Sequence, residues 1–225
     1  ESLARENRKT ELNLEDLHPL KVISSAFGRK ELRALLVGFT LVSIPFAFFA
    51  NNFSVVALDS VGWGPTEVGW VLSAIGVSDI LIQGVLLGWL LKTFGDRGVV
   101  VGGMIGQLNG CLGLAIVASL LAAPWLLVTA GLLLGAGQGG MTAALDGLMS
   151  ASVAADEQGW LAGGLTSLGS AVQMTAPLLA GWLYGVSHGA PYWISLLPIA
   201  AAAVTLMRST HGPTAGIQPD AAPAA

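Results

Sequence analysis

The sequence predicts an all-α polytopic membrane protein with six transmembrane helices, and three observations carry that prediction. Of 225 residues, 53% are hydrophobic and 11% charged, against roughly 25% charged in an ordinary soluble domain, and mean hydropathy is +0.70. Long runs lack Asp, Glu, Lys and Arg: Ala34 to Leu58, Gly98 to Leu145 and Gln158 to Met207 have none, and Val68 to Leu91 has only Asp79. Crossing an apolar core of about 30 Å takes about 20 helical residues, so two of these runs are long enough to cross twice. Finally, all 10 Lys and Arg fall on one side of the resulting spans, as cytoplasmic loops do.

Residues 1–32 form the polar lead-in, read as a cytoplasmic linker. Within it Leu12, Leu14, Leu17, Leu20 and Ile23 line up as a face that either lies on the membrane surface beside Lys21 or belongs to a plain solvated linker. Spans follow at 33–58, 66–92, 98–121, 125–152, 159–186 and 190–208. The double-length runs divide at Ala122-Ala123-Pro124 and at His188-Gly189-Ala190-Pro191, where Pro and Gly favour a hairpin turn. Backbone groups in lipid must be paired within the segment, and unbroken apolar runs of this length do not fit the alternation of a barrel strand, so all six spans are helices. The six-helix bundle therefore covers 33–209, and residues 210–225, rich in Pro and Ala, read as a disordered cytoplasmic tail.

The cations orient the bundle. Arg5, Arg8, Lys9, Lys21, Arg29, Lys30 and Arg33 precede the first span, Lys92 and Arg97 lie between the second and third, and Arg208 follows the sixth, placing both termini in the cytoplasm. The opposite loops carry Asp59, Glu67 and His188. The chain begins at Glu1 rather than Met, so an upstream continuation is expected. Cys111 lies inside the third span as a small core residue.

Inside the spans, glycines let helices approach closely in a solvent that gives no hydrophobic drive. Gly135, Gly137, Gly139 and Gly140 of the fourth span, and Gly163, Gly164 and Gly169 of the fifth, mark either static or sliding contacts. Pro45, Pro177 and Pro198 each free a carbonyl and permit a bend. Phe46, Phe48, Phe49 and Phe53 read as lipid-facing, with stacking on a flat substrate as the alternative. Most of the seven tryptophans fall near span ends, where interfacial anchoring accounts for them.

Two acids occur within the spans. Asp79 lies about 13 residues from either end of the second helix, too deep for a short side chain to reach water. It reads as a proton or cation site, with Gln83 one turn away on the same face; the alternative is a buried acid hydrogen-bonded for structure alone. Asp146 lies nearer the cytoplasmic end of the fourth helix. It can form a cytoplasmic gate with Lys92, Asp96 and Arg97, or a static helix-end pair. Asn51, Asn52, Gln107, Asn109, Gln138 and Gln173 place amides in apolar spans, either lining a cavity or joining helices.

Three stretches carry a family resemblance. The opening ESLARENRK is similar to the start of the central cytoplasmic loop of Major Facilitator carriers. GVSDILIQGVLLGWLLKTFGDRG, from Gly76 to Gly98, is similar to the second-half copy of their loop motif. GLLLGAGQGGMTAALDGLMSASVAADEQGWLAGGLTSLGSAVQMTAPLLAGWLYG, from Gly131 to Gly185, resembles their tenth and eleventh spans with the acidic connection Asp156-Glu157-Gln158-Gly159. Gly169, Pro177 and Gly181 look like a degenerate antiporter motif. The chain thus resembles the C-terminal half of drug:proton antiporters, especially the group containing the tetracycline exporters. It departs from the loop motif at Lys92, Thr93 and Asp96-Arg97, and Gln107 stands where the tetracycline exporters carry an Asp, which points away from tetracycline as substrate.

The resemblance implies proton-coupled efflux of small amphipathic molecules through a plasma (inner) membrane, by alternating access. The implied partners are the lipid bilayer, an N-terminal six-helix half, a small-molecule substrate and the proton. Nucleic acid, cofactor and metal are not called for. Two rivals come from other classes. An intramembrane protease needs a base or paired ligands at depth, whereas His18, His188 and His211 all fall in loops or tail. A non-transporting scaffold or receptor on the same six helices is the remaining alternative.

Overall fold

The computed structural model describes residues 27–208. The expected amphipathic face in the lead-in and the expected tail at 210–225 lie outside the described residues. Helix α1 runs Lys30–Val61, α2 Pro65–Leu81, α3 Leu87–Ser119, α4 Pro124–Ala151, α5 Gln158–Val186 and α6 Ala190–Arg208. A π-helical turn, Ile82–Leu86, joins α2 to α3 without interrupting the rod.

By length and apolarity, four segments qualify as membrane crossings: Leu32–Val61, Pro65–Ser119, Pro124–Ala151 and Ala190–Arg208. Pro65–Ser119 is 55 residues long, about 80 Å if straight, and it divides into two crossings at Gly95. There φ is 68° and ψ 170°, a conformation open essentially to glycine. The charged tight turn expected around Lys92 to Arg97 is thus a single-residue break within otherwise helical backbone. Helix α5 has 29 residues, ample for a crossing. Its Thr166, Ser167, Gln173 and Thr175 lower its apolarity. The chain is a multi-pass membrane protein with six crossings among the described residues.

The turns follow from local chemistry. Gly62, with φ of 71°, ends α1 in the left-handed conformation that satisfies its last carbonyls, and its N–H bonds Leu58 O. Pro65 then starts α2 at a position where a missing N–H leaves no bond unmade. Pro124 does the same for α4.

The bundle closes through one main core. Phe49 and Phe53 of α1 pack with tilted rings, centroids 5.0 Å apart, within a cluster that includes Ile75, Leu114, Leu127, Leu134, Met141 and Tyr192. A smaller cluster sets Ala47 and Phe48 of α1 against Val172, Ala176 and Ala180 of α5. The α1 aromatics therefore do not face lipid as expected. Phe48, Phe49 and Phe53 are buried, because the small residues of α4 and α5 leave room for their rings; Gly131 is one of them. Helices α3 and α4 pack most extensively of all, through Gly103, Gly106, Gly110 and Gly113. A Cβ at any of these four would crowd α4 atoms. The large exposed side chains, among them Trp70, Trp89, Trp125 and Trp182, are turned outward.

Candidate functional site

The second span presents a stripe to the fourth. Val68, Val71 and Ile75 are its buried residues, and Asp79 continues the stripe one turn further on. Opposite them lie the glycines of α4. A Cβ on Gly135 would strike Ile75, one on Gly139 would strike the Asp79 carboxylate and come within 3.1 Å of Gln83 Nε2, and one on Gly140 would touch Ile82. Gly139 is therefore what lets Asp79 lie against the α4 backbone. Asp79 Oδ1 is buried there, and no described residue hydrogen-bonds to it. An unpartnered buried oxygen of this kind disfavours the folded state unless a proton, cation or water completes it.

Directly after Asp79 the helix changes pitch. The Leu87 N–H bonds Ile82 O, five residues back, across Ile82–Leu86. Single π turns of this kind occur often at functional positions. Nothing in the residue pattern announced it.

The other polar groups divide by position. Gln107 Nε2 donates to Val42 O and to Gln138 Oε1, both at 2.8 Å, linking α3 to α1 and α4 in the buried interior. Gln107 Oε1 has no partner among the described residues. Asn52 Nδ2 donates to Ala180 O at 3.2 Å, joining α1 to α5. Asn51 and Asn109 turn their amides back on their own helices, onto Ala47 O and Ile105 O. Asn109 shares an exposed stripe with Val101 and Ile105, apart from Asp79. Gln83 and Gln173 are exposed, as are Lys92, Asp96, Arg97 and Asp146. The structure thus brings together Asp79, Gln83 and Gly139, and separately Gln107 and Gln138.

Two polar contacts had no place in the sequence reading. Arg29, just before α1, donates through both guanidinium nitrogens to Glu157 ahead of α5, at 2.8 and 2.5 Å, and lies 5.2 Å from the Trp160 ring centroid. The hydrogen bond to Glu157 holds the Arg29 guanidinium above its already high range, so it stays charged at any physiological pH. At the opposite end, Tyr184 OH donates to Asp59 at 2.8 Å, and His188 stacks on the Tyr184 ring at 4.7 Å. The one available signal was the acidic Asp156-Glu157 connection, placed on the side that carries every cation.

The family model of the Major Facilitator Superfamily matches residues 23–223. The chain belongs to the Major Facilitator Superfamily. It is 28% identical over 207 residues to the class H tetracycline resistance protein of Pasteurella multocida, covering 90% of this chain and 50% of that one. Against the class C tetracycline resistance protein of Escherichia coli it is 28% identical over 208 residues, covering 91% and 51%. Against the class G protein of Vibrio anguillarum it is 30% identical over 159 residues, covering 71% and 39%. The chain spans about half the length of the first two relatives. The six-helix bundle is therefore a Major Facilitator fold unit, and the resemblance expected from the loop and tenth-to-eleventh-span motifs holds.

Proposed function

We propose that the chain is the C-terminal half of a proton-coupled efflux carrier that exports small amphipathic molecules by alternating access. In this reading it lies in the plasma membrane with both termini cytoplasmic, and transports rather than catalyses. Membership of the superfamily and the likeness to tetracycline resistance proteins support the carrier class. The observation that carries the mechanism is the unpartnered Asp79 oxygen at mid-depth of the second span.

A proton or a cationic substrate would supply the partner that the buried Asp79 oxygen lacks among the described residues. The two ligands then compete for one site, and competition alone gives exchange. Gln83, alongside, orients the carboxyl or binds the same ligand. Asn51, Asn52, Gln107, Asn109, Gln138 and Gln173 remain proposed contributors to the cavity. The test is Asp79→Asn in the full-length carrier. Proton-driven uptake into inverted vesicles collapses while expression and insertion persist. Transport at the normal rate with unchanged pH dependence would make Asp79 structural.

The cytoplasmic gate is proposed at Lys92, Asp96, Arg97 and Asp146, with Arg97 or Lys92 approaching Asp146 in the outward-facing state. A partly solvated pair of this kind shifts a two-state balance by about fivefold. Reversing the charge with Asp146→Lys raises labelling of cytoplasmic-cavity cysteines by about that factor. Unchanged labelling would remove Asp146 from the gate.

A further inference from the structure

We propose that Gln107 is a positioning residue that turns the Gln138 amide so that its Nε2 donor faces the substrate, and that the substrates are amphipathic molecules presenting a carbonyl oxygen there. The inference rests on the carrier reading above, with Gln138 in the cavity, and does not depend on Asp79.

The orientation follows from what each atom can do. Gln107 is fully enclosed. One of its amide atoms lies 2.8 Å from Val42 O, which only accepts, so that atom is Nε2. Pro45 lacks the N–H that would close this turn of α1 onto Leu41 O. The backbone beside Gln107 is thus short of a donor, and Nε2 provides one to the next carbonyl. The second hydrogen of Nε2 goes to the Gln138 amide atom 2.8 Å away, which must then be Oε1. Reversing the Gln107 amide would set two acceptors, its own oxygen and Val42 O, against each other. The network therefore runs in one sense, at the cost of leaving Gln107 Oε1 unpartnered among the described residues. With its oxygen turned to Gln107, Gln138 directs Nε2 the other way.

That donor opens on a crevice. A Cβ on Gly131 would touch Phe49 and Phe53 of α1 on one side and Ile75 of α2 on the other, so this face of α4 lies over the gap between α1 and α2. Gln138 follows one heptad later, within about 20° of the same direction. The gap widens on the way: Gly131 is buried, Gln138 is 9% exposed, Thr142 half-buried and Asp146 exposed. Gln138 Nε2 has no acceptor among the described residues, and the enclosed unpartnered atoms there are Asp79 Oδ1, Gln107 Oε1 and Tyr192 OH. Nε2 is therefore open to the crevice. Thr142, one turn further, turns its hydroxyl hydrogen back onto Gln138 O and Gly139 O of its own helix. Gln138 Nε2 is thus the side-chain donor that this face of α4 has left for a ligand. On the α1 side Phe46, half-buried with its ring 6.1 Å from that of Phe49, adds an apolar flank. A donor beside an aromatic wall suits the carbonyl of an aromatic ketone or amide. An ammonium group would meet a like donor at that point.

The test measures dissociation constants for a fluorescent pair differing only in the carbonyl, acetyl(dimethylamino)naphthalene and its ethyl counterpart. The proteins are the full-length carrier, Gln107→Met, Gln138→Met and the double variant, both replacements being close in volume. The ketone is expected to outbind the hydrocarbon by about five- to tenfold in the unaltered carrier, the effect of one hydrogen bond. The preference is expected to vanish in Gln138→Met, to fall to about twofold in Gln107→Met, and to be no lower in the double variant than in Gln138→Met. If Gln107→Met weakens both compounds by one factor and keeps the preference, Gln107 is structural and the assignment is overturned. Should Gln107→Met fail to insert, Gln107→Asn replaces it: one methylene short, it cannot hold Val42 O and Gln138 together, and an intact preference there overturns the assignment equally. Equal binding of the pair by the unaltered carrier overturns the donor and leaves the carrier reading standing. Binding of neither compound overturns the amphipathic substrate class of that reading, and this inference with it.

Discussion

At Gly139 a single missing methyl group decides where the Asp79 carboxylate sits. A Cβ there would collide with the Asp79 carboxylate, so Gly139→Ala should destabilise the bundle by about 1–3 kcal/mol, the usual range for overpacking. Shortening the opposing side chain should relieve it. Gly139→Ala is expected to lower the thermal unfolding temperature in detergent by less in an Asp79→Ala background than alone. An equal drop in both backgrounds would mean that the two residues do not meet. Asp79 was legible in the sequence because it is the one acid in a long apolar run. Gly139 was legible only as one of several glycines, since no spacing rule says which of them faces the acid. The α1 phenylalanines show the converse. An apolar run reads the same whether it faces lipid or core, and the small residues that make room for Phe48, Phe49 and Phe53 lie on other helices.

Among the elements, the crossings were legible because charge and proline mark span ends in a bilayer more sharply than in water. The sixth span, for example, occupies 190–208 in both the sequence reading and the structure. Pitch was not legible, because a π turn differs from an α turn by one residue in where a hydrogen bond closes and needs no special residue type. The break between the second and third crossings was expected as a turn and is one glycine. Replacing Gly95 by Ala meets no steric obstacle, since no atom lies within 4 Å of the added Cβ. The penalty is backbone strain alone, about 1–3 kcal/mol. A thermal melt of Gly95→Ala showing no loss would mean that the break relaxes to another conformation.

Across the whole molecule, α1 and α5 are tied at three levels: Arg29 to Glu157 at one end, Asn52 to Ala180 within, and Tyr184 to Asp59 at the other. These ties join the first three crossings to the last three, so the unit is built to move as one body. Helix α2, by contrast, lies mainly against the glycines of α4. If the carrier rocks two such bodies about a midplane site, each body is made of inverted three-helix repeats. Crossings one to three should then superpose on four to six by rotation about an axis in the membrane plane. In that arrangement a single body would offer a binding face but no second wall, and would not alternate access alone. The direct measurement is substrate counterflow in proteoliposomes holding this 225-residue chain, alone and after co-reconstitution with the proposed N-terminal six-helix half. No counterflow is expected from the chain as a monomer, and recovery is expected when both halves are present. Counterflow by the monomeric chain alone would contradict the two-body carrier.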